Sequence, residues 1–402
     1  MKNQKKIIFE VFIILLSVLI STFLWKYISI PYKETGIIGN YSINHYNQNN
    51  DLLRYLFFII FPILTFVVVK YFEDKKSIKI FLQNLKKIAL PKAQINSLNF
   101  LFFFFIILIL LEFYSLEFNS QFVDVYHDGQ LISSAFKSYY DHSLWSGSYI
   151  ISGIFNETIA SKLSWNFFNT VSIGSAKFAF IFIILINKII LTFFAFQISQ
   201  NSNLKIVSKC FYFLFIFLVF QSLIDYNLGK VDLLNYRELP ILILLVALPY
   251  MLSKNKLSYI IVFCIGFASL PTFFWSLDRG IIFNLLICLL LVFFIVVKHH
   301  EKIFLLISSI FLSWVFFSYI FGDEFTHFLS NSILILKEIN SIHGIIHPVP
   351  FSGEPNSSRA TKGLLAIIIS IILALGLFLK NNDKYNYYTK LIILFISICC
   401  FL

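Results

Sequence analysis

Long apolar runs constrain this chain more than any other feature. Nine stretches of about 18 or more residues, near 7–30, 55–72, 98–116, 178–197, 206–224, 257–275, 281–297, 303–321 and 363–379, carry almost no charge. At about 1.5 Å of rise per helical residue each run matches the hydrocarbon core of a bilayer, and a water-soluble fold has no place for nine of them. A tenth, shorter run at 239–252 is required if the loops are to alternate between the two sides. The final run, 391–402, is too short to cross, and is read as a half-inserted helix or the beginning of a further module. The expected fold is all-α: a polytopic membrane helix bundle of about 10–11 transmembrane helices. Only 13% of residues are charged and the mean hydropathy is +0.81, which excludes a set of soluble domains.

A net charge of +11 suggests nucleic acid until the basic residues are mapped. With Lys2, Lys5 and Lys6 placed in the cytoplasm, the N-terminus and the loops 70–98, 199–209, 253–256, 298–302 and 380–390 hold 19 of the 32 Lys and Arg. Their only acids are Glu73, Asp74, Glu301 and Asp383. This is the positive-inside pattern, so topology explains the charge and no nucleic-acid partner is expected. The N-terminal run has a signal-like order but no small-residue cleavage site before Pro31, so it is expected to remain as a helix. Cys210, Cys264, Cys288, Cys399 and Cys400 all lie within apolar runs, without metal or disulfide spacing.

Two divisions follow: residues 1–97, with two leading transmembrane helices and a basic connector, and a transmembrane domain over 98–402. In the connector 73–97, Ile78, Phe81, Leu82 and Leu85 alternate with Lys79, Lys86 and Lys87. That pattern suits a helix lying on an anionic membrane surface, or a plain positive-inside loop.

The opposite, outer face receives loops 31–54, 116–177, 225–238, 276–280 and 322–362, with six of the eight His. In the longest, Asp124 and Asp128 flank Val-Tyr-His, and Gly129 follows at once. A carboxylate where lipid meets water is costly unless used or paired. After Gly129, Leu131, Ile132, Ala135, Phe136, Tyr139 and Tyr140 against Ser133, Ser134, Lys137 and Asp141 predict a short amphipathic helix in the interface. Asp128 is then either a functional carboxylate or the N-cap of that helix. The same face carries Asp225 and Asp232 around Lys230, Arg237–Glu238, Ser276-Leu-Asp-Arg-Gly280, Asp323–Glu324, and a late loop with His343, His347 and Arg359. Arg279, in a tight turn between two spans, offers a fork of donors that fits a phosphate. Asp124, Asp128 and the histidines also offer ligand types for a divalent metal, though nothing in their spacing fixes one.

YHDGQLISSAFKSYY, followed by WSGSYIISGIFNE, the SLDRG turn and the late IHGIIHPVPFSGEP loop, resembles the multi-spanning glycosyltransferases of the GT-C superfold over about 98–380. The resemblance departs in three respects: two helices precede the motif loop, an aromatic-Pro pair is missing after the interfacial helix, and the sequence stops where many members continue. It implies a multi-pass protein of the bacterial cytoplasmic (inner) membrane with a cytoplasmic N-terminus. Its reaction would move a sugar from a polyprenyl-phosphate donor to a glycan, lipid or protein acceptor on the outer face, inverting the anomeric carbon. Asp128, or Asp124, would be the catalytic base. Arg279 with Arg237 or Lys230 would hold the donor phosphate, and His127, His343, His347 and Arg359 would line the acceptor side. Two alternatives remain: an O-antigen polymerase or ligase centred on His343, His347 and Arg359, and a transporter or flippase. Transporters carry ionisable groups at mid-membrane in repeated halves. Here only Lys188 is deep in a span, and no repeat is visible.

Overall fold

The computed structural model describes residues 2–34, 36, 38–73, 96–116, 125–148, 150–202, 204–224, 226, 236–253, 256–343 and 346–379. Among them there is no strand. The helices longer than a single turn are α1 (Lys2–Leu24), α2 (Asn49–Glu73), α3 (Asn96–Tyr114), α4 (Val125–Asp141), α5 (Ala160–Phe168), α6 (Ile173–Gln200), α7 (Ile206–Gln221), α8 (Leu239–Leu252), α9 (Lys256–Phe267), α10 (Ser269–Trp275), α11 (Leu277–Val297), α12 (His300–Phe321), α13 (Asp323–His343) and α14 (Ser357–Leu379). The connector between α2 and α3 and the segment 391–402 lie outside the described residues.

Six helices (α1, α2, α6, α11, α12 and α14) are long and apolar enough to cross a membrane. A seventh span is formed if α9 and α10, bent by 47° where they meet, act as one. The remaining expected spans are shorter helices: α3 is apolar over Leu98–Tyr114, α7 over Ile206–Gln221, and α8 has 14 residues. Three expectations need correction. The interfacial helix begins at Val125, so Asp128 lies within it rather than capping it. The expected span 257–275 is broken next to Ala268. The expected outer loop 322–362 contains the 21-residue helix α13, whose apolar residues occupy one face and therefore form no continuous run.

The described residues fall into two compact units. One holds those within 1–86 and 333–382, and the other those within 87–332. In the first, Val18 and Trp25 of the α1 segment pack with Phe58 and Ile59 of α2 and Leu364 and Ile368 of α14. Lys70 and Glu10 add an ion pair at 2.5 Å between α2 and α1. In the first turns of α2, Asp51 accepts the hydroxyls of Tyr41 (3.2 Å) and Tyr46 (2.8 Å), while Arg54 donates to Tyr46 Oη at 2.7 Å and to the Ile28 carbonyl at 2.9 Å.

The second unit is built around α6, which buries residues on most of its circumference, including Asn187, Lys188, Thr192 and Gln197. Between apolar helices, polar side chains of this kind join neighbours because lipid offers them no partner. Lys302, at the start of α12, donates to the carbonyls of Met251 and Ser253 at 2.6 and 2.5 Å, placing a cation at the C-terminal end of α8. Gly280 brings α11 against α10: a Cβ there would lie 2.7 Å from the Phe273 Cα.

Candidate functional site

The site is assembled at the end of the second unit where α11 begins. Its floor is the turn from Trp275 to Arg279, and its wall is the segment 142–159. Gly153 has φ +132°, and a Cβ there would lie 2.7 Å from the Trp275 carbonyl oxygen, so only glycine allows this approach. Leu277 N–H donates to the Ser152 carbonyl at 2.9 Å, and the rings of Phe155 and Trp275 stack with centroids 4.1 Å apart.

Three side chains hold the wall by its backbone. Glu157 is buried and accepts the N–H of Ile151 at 3.0 Å and both the N–H and the hydroxyl of Ser152. Glu324, in the first turn of α13, accepts the N–H groups of Trp145 (2.6 Å) and Ser146 (3.1 Å) and the Ser146 hydroxyl (2.5 Å). Asn331, two turns on, takes the N–H of Ile150 at 3.3 Å and donates to its carbonyl at 2.8 Å. Beneath them Trp145, Ile150, Ile154, Leu270, Phe274 and Phe328 form an apolar core.

Glu157 lies on a five-residue π-helical turn, Phe155–Ile159, that leads into α5. Such turns are uncommon and concentrate at functional sites. Its neighbour Asn156 is fully buried, and neither amide atom has a hydrogen-bond partner among the described residues. Burial raises the Glu157 carboxyl above its ordinary value, against the opposing hydrogen bonds of Ser152 and Ile151 and the field of Arg237. Glu324 moves the other way: burial would raise it, but the donors from Ser146 and Trp145 together bring it below the usual value.

The charged members meet on the floor. Arg279 Nε donates to Glu238 Oε1 at 2.8 Å, its Nη2 lies 2.6 Å from the same oxygen, and its Nη1 lies 3.1 Å from Asp278 Oδ2. Arg237 Nη1 is 3.6 Å from that Asp278 oxygen. The other Asp278 oxygen accepts the Ser276 hydroxyl and the Arg279 N–H at 2.5 and 2.8 Å. Arg279 therefore has two carboxylate partners, and its fork is oriented by them.

Helix α4 is fixed to this wall by its small polar face. Ser134 Oγ donates to the Glu157 carbonyl at 2.8 Å, Lys162 Nζ donates to the Ser138 carbonyl at 2.8 Å, and Lys137 Nζ to the Ser146 carbonyl at 3.1 Å. Among the described side chains of α4, Ser134, Ala135 and Ser138 are buried, while Phe136 and Tyr140 are 50% and 65% exposed. Phe136 and Tyr140 thus turn outward, while Tyr139 and Ile132 pack inward with Ala135 against Trp165 and Ala176.

Of the residues singled out from sequence, Arg237 and Arg279 come together through Asp278. His127 and Asp128 lie in the first turns of α4, and His343 ends α13. His347, in the first unit, meets the Tyr55 ring edge-on with centroids 4.9 Å apart, and Arg359 is exposed at the start of α14. Asp124 and Lys230 lie outside the described residues. Among the described residues no three His, Cys, Asp or Glu side chains gather where they could hold a metal ion. The sequence reading passed over Glu157, Asn156 and Asn331, and gave Glu324 no role. A lone acid at the end of WSGSYIISGIFNE was the one available signal. Compared with known proteins, the chain matches no family model, no curated protein and no solved structure.

Proposed function

We propose that this chain is an integral-membrane glycosyltransferase of GT-C type. It moves a sugar from a polyprenyl-phosphate donor to a glycan, lipid or protein acceptor on the outer face of the bacterial cytoplasmic membrane, with its N-terminus in the cytoplasm. The observation that carries this reading is the joining of a non-spanning amphipathic helix, through the wall 142–159, to the turn at the start of a membrane-length helix, where Arg279 and, from the segment before α8, Arg237 meet on Asp278. In this reading Asp128, on α4, takes the proton from the acceptor hydroxyl as it attacks the anomeric carbon. Arg279 and Arg237 stabilise the charge that develops on the leaving phosphate. Glu238 and Asp278 hold the guanidinium groups in place beforehand, so no reorganisation is needed at the moment of transfer. The positive end of the α11 dipole points to the same place.

The test is transfer from a radiolabelled polyprenyl-phosphate sugar by purified protein. Asp128→Asn keeps the volume but not the basicity, and should lower turnover by roughly 10²-fold or more with folding intact. Arg279→Lys keeps charge but loses the fork, and should lower turnover as well. Full activity in both variants would refute the assignment.

A further inference from the structure

Away from the arginine cluster, α6 carries a lysine surrounded by apolar helices. Lys188 Nζ lies 2.8 Å from Glu112 Oε1 of α3 and 4.2 Å from the centroid of the Tyr226 ring, which follows the end of α7. Its backbone carbonyl accepts the Thr192 hydroxyl at 2.8 Å, and Gln221 Nε2 donates to that hydroxyl oxygen at 3.2 Å. Two buried atoms of the group have no hydrogen-bond partner among the described residues: the Tyr226 hydroxyl and Gln221 Oε1. An ionisable side chain at this depth is costly and marks a functional position more often than a structural one.

The two halves of the ion pair are unequally placed. The lysine side chain is 5% exposed and the glutamate 48%. Glu112 stands one turn before the end of α3, beside Leu108 and Leu111, which are 41% and 58% exposed. Lys188 is therefore covered by a carboxylate on an apolar, lipid-facing helix. A pair serving only to tie α3 to α6 has no use for a further sealed donor. The Tyr226 hydroxyl is such a donor on a ring already against the ammonium, and Glu112 does not engage it. A phosphate ester has more acceptor oxygens than a carboxylate, and so can take both groups.

We propose that Lys188 and Tyr226 form a phosphate-binding site entered sideways from the bilayer, with Glu112 as its displaceable cover. The headgroup of a lipid phosphate takes the place of Glu112 on Lys188 and accepts the Tyr226 hydroxyl, while Glu112 turns outward. No sugar is involved, so the site stands or falls separately from the transfer reaction.

The experiment titrates the purified full chain in detergent with three probes: polyprenyl phosphate, phosphatidylglycerol and inorganic phosphate. Binding is followed by native mass spectrometry for the lipids and by calorimetry for the free ion. Glu112→Gln removes the competing charge and should tighten binding of the lipid phosphate about tenfold. Lys188→Met should weaken it roughly 10- to 100-fold, and Tyr226→Phe should weaken it less. Preference for polyprenyl phosphate identifies a carrier-lipid site, and equal binding of phosphatidylglycerol a general headgroup site; both support the proposal. If Glu112→Gln lowers the melting temperature and leaves affinity for every probe unchanged or weaker, the pair is a structural tie and the proposal is wrong. Because Glu112→Gln is decided by the sign of its effect, it remains decisive even if Lys188→Met does not fold.

Discussion

Replacing Glu157 with Gln tests whether the wall beside the arginine turn is held by a buried carboxylate. The native side chain accepts from Ile151 N–H, Ser152 N–H and Ser152 Oγ–H. Glutamine keeps one acceptor oxygen but turns an NH₂ group toward donors, so at least one buried N–H loses its partner and the others exchange a charged acceptor for a neutral one. Charge-assisted bonds are worth about 1.5–3 kcal/mol and neutral ones about 1, which sets the gross loss at about 2–4 kcal/mol. Relief from burying a carboxylate offsets part of it, since burial already raises this group. A net loss of about 2 kcal/mol makes local opening roughly 30-fold more frequent, at 1.4 kcal/mol per factor of ten. Hydrogen exchange at the Ile151 and Ser152 amides, measured by mass spectrometry in detergent, should quicken by that factor while amides along α6 do not change.

The pH dependence supplies a second measure with a defined sign. Because the Glu157 carboxyl is raised in the folded protein, the native state binds its proton more tightly than the unfolded chain does. Its contribution to stability is full below the ordinary carboxylate value and is lost as pH rises through the raised one. Glu324, lowered in the fold, contributes above the ordinary value and loses that contribution as pH falls. The melting temperature of wild type minus that of Glu157→Gln should therefore fall from acidic to neutral pH. The Glu324→Gln difference should rise over the same range. Unchanged exchange at Ile151 and Ser152, or two melting curves that stay parallel with pH, would refute the clamp.

Two further outcomes are expected. Gly153→Ala places a Cβ against the Trp275 carbonyl at a positive φ; it should cost about 1–3 kcal/mol and open the Phe155–Trp275 stack, read as a lower melting temperature and a red-shifted tryptophan emission. Reporter fusions at Gly129, Lys230 and Gly353 should report the outer side and those at Lys86 and His299 the cytoplasm, and a cytoplasmic Gly129 would remove the basis for a lipid-linked donor.

The helices were legible because lipid enforces them: a backbone in hydrocarbon must satisfy its own hydrogen bonds, and uniform apolar runs record this directly. The clamps were not legible. Glu324 holds Trp145 across a sequence separation of 179, and Asn331 holds Ile150 across 181, and no periodicity encodes a partner at that distance. Arg279 was marked by its place in a short turn, but its pairing with Glu238, 41 residues earlier, depends on α8 and α11 starting at the same end of the unit. The break within 256–275 is masked in a search for apolar runs because the segment stays apolar on average, although Gly266 and Pro271 bracket Ala268.

A deeper reason separates what was seen from what was missed. Helices α4, α5 and α13 carry apolar residues on one face only, so a search for continuous apolar runs passes over α5 and α13, and α4 is found instead from its amphipathic order after Gly129. These same three helices supply Ser134, Lys162, Glu324 and Asn331, and the π turn before α5 supplies Glu157: Ser134 and Lys162 join α4 to the π turn and α5, while Glu157, Glu324 and Asn331 hold the backbone of the wall. A helix that must cross lipid has little room for such side chains, because each unpaired polar group in hydrocarbon costs several kcal/mol. The groups that clamp the wall are thereby concentrated on the helices that do not cross, and hydropathy, which finds the crossing helices best, is least informative where that wall is built.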